Sequence, residues 1–149
     1  MTSEALLSYA HLMAILSLVV FSSSQAALCR VEWLNAKVVE RLVVLDRIYA
    51  LAALAVLLTG LARIAWGGKG ASWYWANSLL HLKLGLFILI ALMSIKPTVM
   101  FLRWRRQLRS DGSLPPQAEV RQARRWVMIE AHLVTFIPLA AVFLARGFG

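Results

Sequence analysis

Four apolar stretches, each about twenty residues long, constrain the fold of this chain more than any other feature. They cover residues 6–28, 43–66, 78–101 and 126–144, and no strongly polar run interrupts them. A helix needs about 20 apolar residues to cross the hydrocarbon core of a bilayer. Closed β-barrels also span membranes, but their roughly ten-residue alternating strands are absent from the sequence. The sequence therefore predicts an all-α, four-helix transmembrane bundle.

Composition supports this interpretation. Hydrophobic residues make up 60% of the 149 residues and charged residues 15%, whereas soluble domains average about 45–50% apolar and about 25% charged. A water-soluble fold of this length could not bury so much apolar surface, so the expected partner is a lipid bilayer. We predict one integral membrane domain over residues 1–149, with helices at about 6–28, 36–66, 73–109 and 118–146.

Turn-forming residues separate the spans. Residues 67–70 (Gly-Gly-Lys-Gly) predict a turn after the second helix, and Asn77 or Ser78 can cap the third. Residues 110–116, which contain Asp-Gly and Pro-Pro, break the chain before the fourth helix. The connections are therefore short, as in an antiparallel bundle.

The net charge of +9 is distributed as membrane topology requires, so nucleic-acid binding is not expected. Eleven Lys and Arg residues lie in or beside the first and third connections: Arg30, Lys37, Arg41, Arg47, Arg103, Arg105, Arg106, Arg109, Arg121, Arg124 and Arg125. Three lie on the opposite side: Arg63, Lys69 and Arg146. The positive-inside rule then predicts a bacterial inner-membrane protein with these two connections in the cytoplasm and both termini in the periplasm.

Two histidines are predicted at similar depth on different helices. His11 lies about five residues into the first span and His81 about three residues into the third, both from the periplasmic side. At 1.5 Å per residue, both would be roughly 5–8 Å below the membrane boundary. Such a pair could ligate a haem iron, hold another metal or relay protons. The alternative is that each histidine hydrogen-bonds a neighbouring helix.

Lys83 follows His81 by two residues, which is about 200° of rotation on a helix. The two side chains therefore cannot point into the same pocket. One of them should face the bundle interior, and the other should face a neighbouring helix, a partner subunit or the membrane surface.

A second group of ionisable residues is predicted towards the cytoplasmic side. Asp46, Lys96 and Glu130 could meet there as a buried ionic group, acting as a structural clamp or as a proton path. His132, two residues beyond Glu130 and nearer the middle of the membrane, is the fourth member of this predicted charge cluster. No multi-cysteine metal site is expected, because Cys29 is the one cysteine, and no phosphate-binding loop is present.

The order of these residues resembles the bacterial membrane-embedded protoporphyrinogen oxidase family. The resemblance rests on residues 9–12 (Tyr-Ala-His-Leu), 80–84 (Leu-His-Leu-Lys-Leu), the basic segment 103–109 and Glu130 before Ala131. It implies a four-helix core, a b-type haem, and functional roles for a histidine and a lysine that correspond to His11 and Lys83. Where that family has a tryptophan in the first helix and a Tyr-His pair in the third, this chain has Leu18 and Met93-Ser94.

The chain is still more similar to an uncharacterised family of short bacterial predicted membrane proteins with four helices. Three functions stay open. One is a redox protein binding haem b or another tetrapyrrole through His11 with His81 or Lys83. The second is a non-enzymatic scaffold or subunit of a larger membrane complex. The third is a small transporter or channel built by oligomerisation, with a homo-oligomer as the possible assembly. The sequence does not decide whether the protein is an enzyme.

Overall fold

The computed structural model describes residues 1–66 and 70–147, except for the side chains of residues 144 and 145. The described residues form five helices, namely α1 (Thr2–Leu28), α2 (Ala36–Trp66), α3 (Ala71–Trp75), α4 (Ser78–Asp111) and α5 (Gln117–Ala145). Four of them, all except α3, are long and apolar enough to cross a membrane. The predicted all-α, four-helix transmembrane architecture is confirmed. The predicted turn at residues 67–70 lies, apart from Gly70, outside the described residues.

The four long helices form a closed ring in chain order. Each packs on the next, and α5 returns to α1. We call the end with residues 29–35 and 112–116 the basic end, and the end with the start of α1, helix α3 and the end of α5 the terminal end. The contact between α2 and α4 is the sparsest of the four, and we call it the α2–α4 seam.

The third predicted helix, 73–109, is two helices rather than one. It is interrupted at Ala76 and Asn77, between α3 and α4. Asn77 has extended backbone angles, and its side-chain oxygen accepts a hydrogen bond from the Leu79 N–H at 2.8 Å. This is the N-cap geometry that asparagine favours, and it confirms Asn77 as the cap of the long helix.

The long helices are longer than the hydrocarbon core of a bilayer is thick, and their charged ends lie at the basic end. With 31 residues, α2 is about 46 Å long, against about 30 Å of hydrocarbon. These helix ends pack like a water-soluble bundle around buried Leu42, Phe101 and Trp104. On the outside, Arg109 pairs with Glu40 at 3.0 Å and Arg103 pairs with Glu119 at 2.7 Å.

The middle of the bundle has an apolar outer surface, in contrast to the charged surface of the basic end. Its core contains Ile15, Leu18, Val56 and Ile90 among other apolar side chains. Large apolar side chains also cover its outer surface: Leu16, Leu51, Leu58, Ile88, Leu92, Phe136 and Leu139. Such a continuous apolar exterior is stable in lipid and would aggregate in water.

Candidate functional site

His11 is buried near the terminal end, where a chain of two hydrogen bonds orients its ring. Its Nδ1 lies 2.7 Å from the Thr59 hydroxyl of α2, which in turn donates to the Ala55 carbonyl at 2.6 Å. A hydroxyl has one hydrogen, so when Thr59 gives it to the Ala55 carbonyl, the Thr59 oxygen accepts from the His11 Nδ1–H, and this arrangement requires the tautomer with hydrogen on Nδ1. In the neutral ring, the lone pair is then on Nε2. Histidines that bind metals are commonly oriented in this way.

Gly60 makes room for the ring. A Cβ at this position would be 3.3 Å from Cε1 of His11, so any larger residue would press on the imidazole. Thr59 and Gly60 together therefore determine the position of the histidine, one by a hydrogen bond and the other by its lack of a side chain.

His11 and Lys83 line the same cavity, which we call the His11–Lys83 cavity. Its other walls are apolar and come mainly from α2 and α4: Val56, Leu57, Leu61, Ile64, Leu80, Leu84 and Phe87. Its enclosed volume is about 40 Å³. Arg63, one turn beyond Gly60, is close enough to interact electrostatically with both His11 and Lys83. The cavity therefore combines apolar walls, one imidazole and two basic side chains, Lys83 in its wall and Arg63 nearby.

His81 lies elsewhere. It is exposed, and its Nε2 is 2.9 Å from the Trp75 carbonyl at the end of α3. The reason is helix rotation, because a side chain two residues from Lys83 must point away from the cavity that Lys83 lines. Of the two partners predicted for His11, the structure brings Lys83 to the cavity and places His81 outside it.

The second predicted group, towards the basic end, is brought together only in part. Asp46 and Glu130 are both buried, and the charge of Asp46 acts on the Glu130 carboxyl group. The Asp46 carboxylate accepts a hydrogen bond from the Gln25 side-chain amide at 3.3 Å. Tyr49 is buried beside both acids. The observed group therefore consists of two carboxyl groups, a phenol and an amide.

Lys96 and His132 do not join this group, which corrects the predicted cluster. Lys96 is exposed, with its Nζ 5.3 Å from the centroid of the Trp126 ring. His132 is exposed on α5, where its Nδ1 lies 2.6 Å from the Met128 carbonyl of its own helix. Both side chains lie on the outer surface of the bundle because their helices turn other faces inward.

Four residues that sequence reasoning missed complete these sites: Gln25, Tyr49, Thr59 and Gly60. Thr59-Gly60 carried a usable signal, since a polar residue beside a glycine within an apolar span marks a close helix contact. Gln25 could also have been identified, because a side-chain amide near the end of an apolar span needs a hydrogen-bond partner. The sequence did not identify Tyr49 as a site residue, because tyrosine is common near membrane boundaries for other reasons.

Comparison with known proteins agrees with the membrane architecture. No curated protein and no solved structure shows a significant match to the chain. Residues 3–149 match a family model described as "Predicted membrane protein (DUF2214)", a description that names no activity. Because the match covers nearly the whole sequence, the chain belongs to this family of predicted membrane proteins.

Proposed function

We propose that this chain is a bacterial inner-membrane protein that binds haem b or another tetrapyrrole at the His11–Lys83 cavity, in a redox role. The observation that carries the proposal is that His11 and Lys83, on different helices, line one apolar cavity. These are the two residues that the resemblance to the membrane-embedded protoporphyrinogen oxidases singles out. His81, the competing partner, faces away.

The donor atoms suit such a group. With Nδ1 directed to Thr59, the Nε2 lone pair of His11 is available to a metal. Lys83 offers an amine as a second ligand or as the partner of a carboxylate. Apolar walls suit the faces of a macrocycle. Bound haem b would supply one-electron chemistry, tuned by its axial ligands and by the polarity of the site.

The enclosed volume of about 40 Å³ holds only a few water molecules. A macrocycle is larger, so its binding requires the surrounding helices to separate. The α2–α4 seam is the sparsest helix contact of the ring, and α2 and α4 supply most of the cavity wall. This supports lateral entry from the bilayer through the seam.

A visible spectrum tests the proposal. The protein is purified in detergent with haem supplied during expression, and we expect a Soret band in the wild type. His11→Ala should abolish the band and Lys83→Ala should shift or weaken it. His81→Ala is the matched control, because it removes a histidine at similar depth outside the cavity, and its spectrum should be that of the wild type.

A colourless wild type after haem supplementation would overturn the proposal and favour a non-enzymatic scaffold or subunit of a larger complex. Equal spectra for His11→Ala and His81→Ala would also overturn it, because haem would then bind elsewhere. Each variant is first checked for a monodisperse detergent complex, so that loss of colour is not confused with loss of fold.

We further propose that the basic end lies in the cytoplasm and that both chain termini lie in the periplasm. The excess of Lys and Arg around the first and third connections supports this orientation. The His11–Lys83 cavity would then lie in the periplasmic half of the membrane.

A further inference from the structure

A second cavity lies on the α2–α4 seam, closer to the basic end, and we call it the polar cavity. It has a volume of about 210 Å³. Its polar groups come from Asp46 and Tyr49 of α2 and from Ser94 and Thr98 of α4. The rest of its wall is apolar and consists of Leu18, Ala50, Ala53, Phe87, Ile90 and Ala91. Phe87 lines both this cavity and the His11–Lys83 cavity. The seam therefore holds two cavities that share Phe87 as a wall residue.

The polar cavity presents oxygen acceptors. The Ser94 hydroxyl donates its single hydrogen to the Ala91 carbonyl at 2.7 Å, so its lone pairs are left for the cavity. The Thr98 hydroxyl has one hydrogen for two acceptors, the Ser94 carbonyl at 2.9 Å and the neighbouring Asp46 carboxylate. Such a lining recognises a cation or a strong hydrogen-bond donor.

Buried oxygens without a well-aligned hydrogen bond lie beside this lining. The Tyr49 hydroxyl and the Glu130 carboxyl group are close enough to interact with each other, but the Tyr49 hydroxyl and Glu130 Oε1 make no well-aligned hydrogen bond to any described residue, although Tyr49 is 4% exposed and Glu130 2% exposed. The same holds for Ser22 Oγ on α1. Unpaired buried oxygens cost free energy, and in native proteins they commonly indicate a bound water or ion.

The positive side chains nearest along the chain are directed elsewhere. Arg47 is exposed, and Lys96 lies over the Trp126 ring. Arg124 donates to the Ala26 carbonyl at 3.1 Å. The side chains that interact with the Asp46 and Glu130 carboxyl groups are therefore uncharged. They are Gln25, Tyr49 and Thr98. Two carboxyl groups inside a membrane protein need positive charge from some source.

We propose that the polar cavity is a binding site for a hard monovalent cation, a proton or Na⁺, held by Asp46 with Tyr49 and the α4 hydroxyls and backed by Glu130. Oxygen ligands suit hard cations. One carboxylate and several hydroxyls line the cavity, which suits a single positive charge. The site stands independently of haem binding at the His11–Lys83 cavity.

Carbodiimide labelling tests this proposal on the full-length protein in nanodiscs. A hydrophobic carbodiimide modifies protonated carboxyl groups within the membrane, and peptide mass spectrometry locates the label. We expect label on Asp46 or Glu130 that decreases as the pH rises. If Na⁺ is the ligand, labelling at constant pH should fall about tenfold once Na⁺ exceeds its Kd about tenfold, since protection scales with 1 + [Na⁺]/Kd. Choline chloride at the same ionic strength controls for salt.

Tyr49→Phe is the matched variant, because it removes one oxygen and keeps the ring. In the sodium case it should weaken protection severalfold, and in the proton case it should shift the pH at which labelling is half-maximal. Glu40 and Glu119, which are paired with arginines outside the membrane, are controls within each sample.

Protection by Na⁺ at constant pH identifies a sodium site, and dependence on pH alone identifies a proton site. Labelling of the two buried acids that responds to neither pH nor Na⁺ overturns the proposal and makes the group a structural clamp. Label confined to Glu40 and Glu119 overturns it as well.

Discussion

Gly60 lies directly against the His11 ring, so closely that a methyl group at this position would require the ring to shift by a few tenths of an ångström. A Cβ built on Gly60 would be 3.3 Å from Cε1 of His11, tighter than an ordinary van der Waals contact. Cε1 is bonded to both ring nitrogens, so pressure on it moves the nitrogen that donates to Thr59 together with the one that carries the lone pair. The glycine therefore controls the geometry of the imidazole from the facing helix.

Gly60→Ala should displace the ring. In a helix interior, alanine is more stable than glycine by about 0.5–1 kcal/mol, but an overpacked contact typically costs about 1–3 kcal/mol. We expect no net gain in thermal stability in detergent. Gly85→Ala is the matched control, since its Cβ would meet nothing within 4 Å, and it should show the full gain. Equal gains for the two variants would contradict the close contact.

Thr59→Val should release the histidine without changing the shape of α2. The variant removes the oxygen that accepts from Nδ1, and a buried donor left without a partner costs about 1–3 kcal/mol. We expect lower thermal stability and imidazole ¹⁵N shifts that no longer report a single tautomer. Thr59→Ser retains the hydroxyl and should keep the wild-type shifts. If Val and Ser variants gave the same ¹⁵N spectrum, the hydrogen bond would not determine the tautomer.

The spans could be predicted from the sequence because hydropathy is a property of each residue, whatever it packs against. The cap at Asn77 was predictable for a similar reason, since an N-cap depends on its own helix. The short helix α3 was not predicted as a separate element, because residues 73–76 carry no proline or glycine to end a helix. Local chemistry therefore predicted the elements and most of their limits.

The partners of the polar residues could be predicted only in part, because they depend on the rotation of each helix. The spacing of His81 and Lys83 required that one of them point away from the cavity, but it did not identify which. The sequence likewise did not show whether Lys96 and Glu130 both face the bundle interior. A buried carboxylate is not the only partner available to a lysine, because an aromatic ring can also stabilise its charge. Helix rotation is determined by packing against neighbours, which a single sequence does not contain.

Cys29 should be almost inert in the folded protein. It follows the end of α1 and is completely buried, with its Sγ 3.7 Å from the Val120 carbonyl. Burial raises the pKa of the Cys29 thiol from 9.0 to about 12, which leaves about a thousandth of the usual thiolate at neutral pH, since each unit of pKa is tenfold. Maleimide should react very slowly with the native protein and rapidly after unfolding in SDS.

The raised pKa of Cys29 also gives a direction to the pH dependence of stability. The unfolded thiol loses its proton near pH 9 and the folded thiol near pH 12. The contribution of the buried neutral thiol is therefore fully present below pH 9 and is lost as the pH rises above it. Cys29→Ala should show a smaller loss of thermal stability between pH 8.5 and 10 than the wild type. Equal losses would contradict the raised pKa.

Orientation in the membrane can be tested with single cysteines in a Cys29→Ala background. Ser110→Cys places an exposed thiol at the end of α4, at the basic end, and Ser72→Cys places one on α3, at the terminal end. A membrane-impermeant maleimide added to bacterial spheroplasts should label the Ser72→Cys protein and spare the Ser110→Cys protein until the cells are lysed. The physical reason is that Lys and Arg beside a span oppose its translocation across the membrane. Labelling of Ser110→Cys in unlysed spheroplasts, with Ser72→Cys protected, would place the basic end in the periplasm and the His11–Lys83 cavity in the cytoplasmic half.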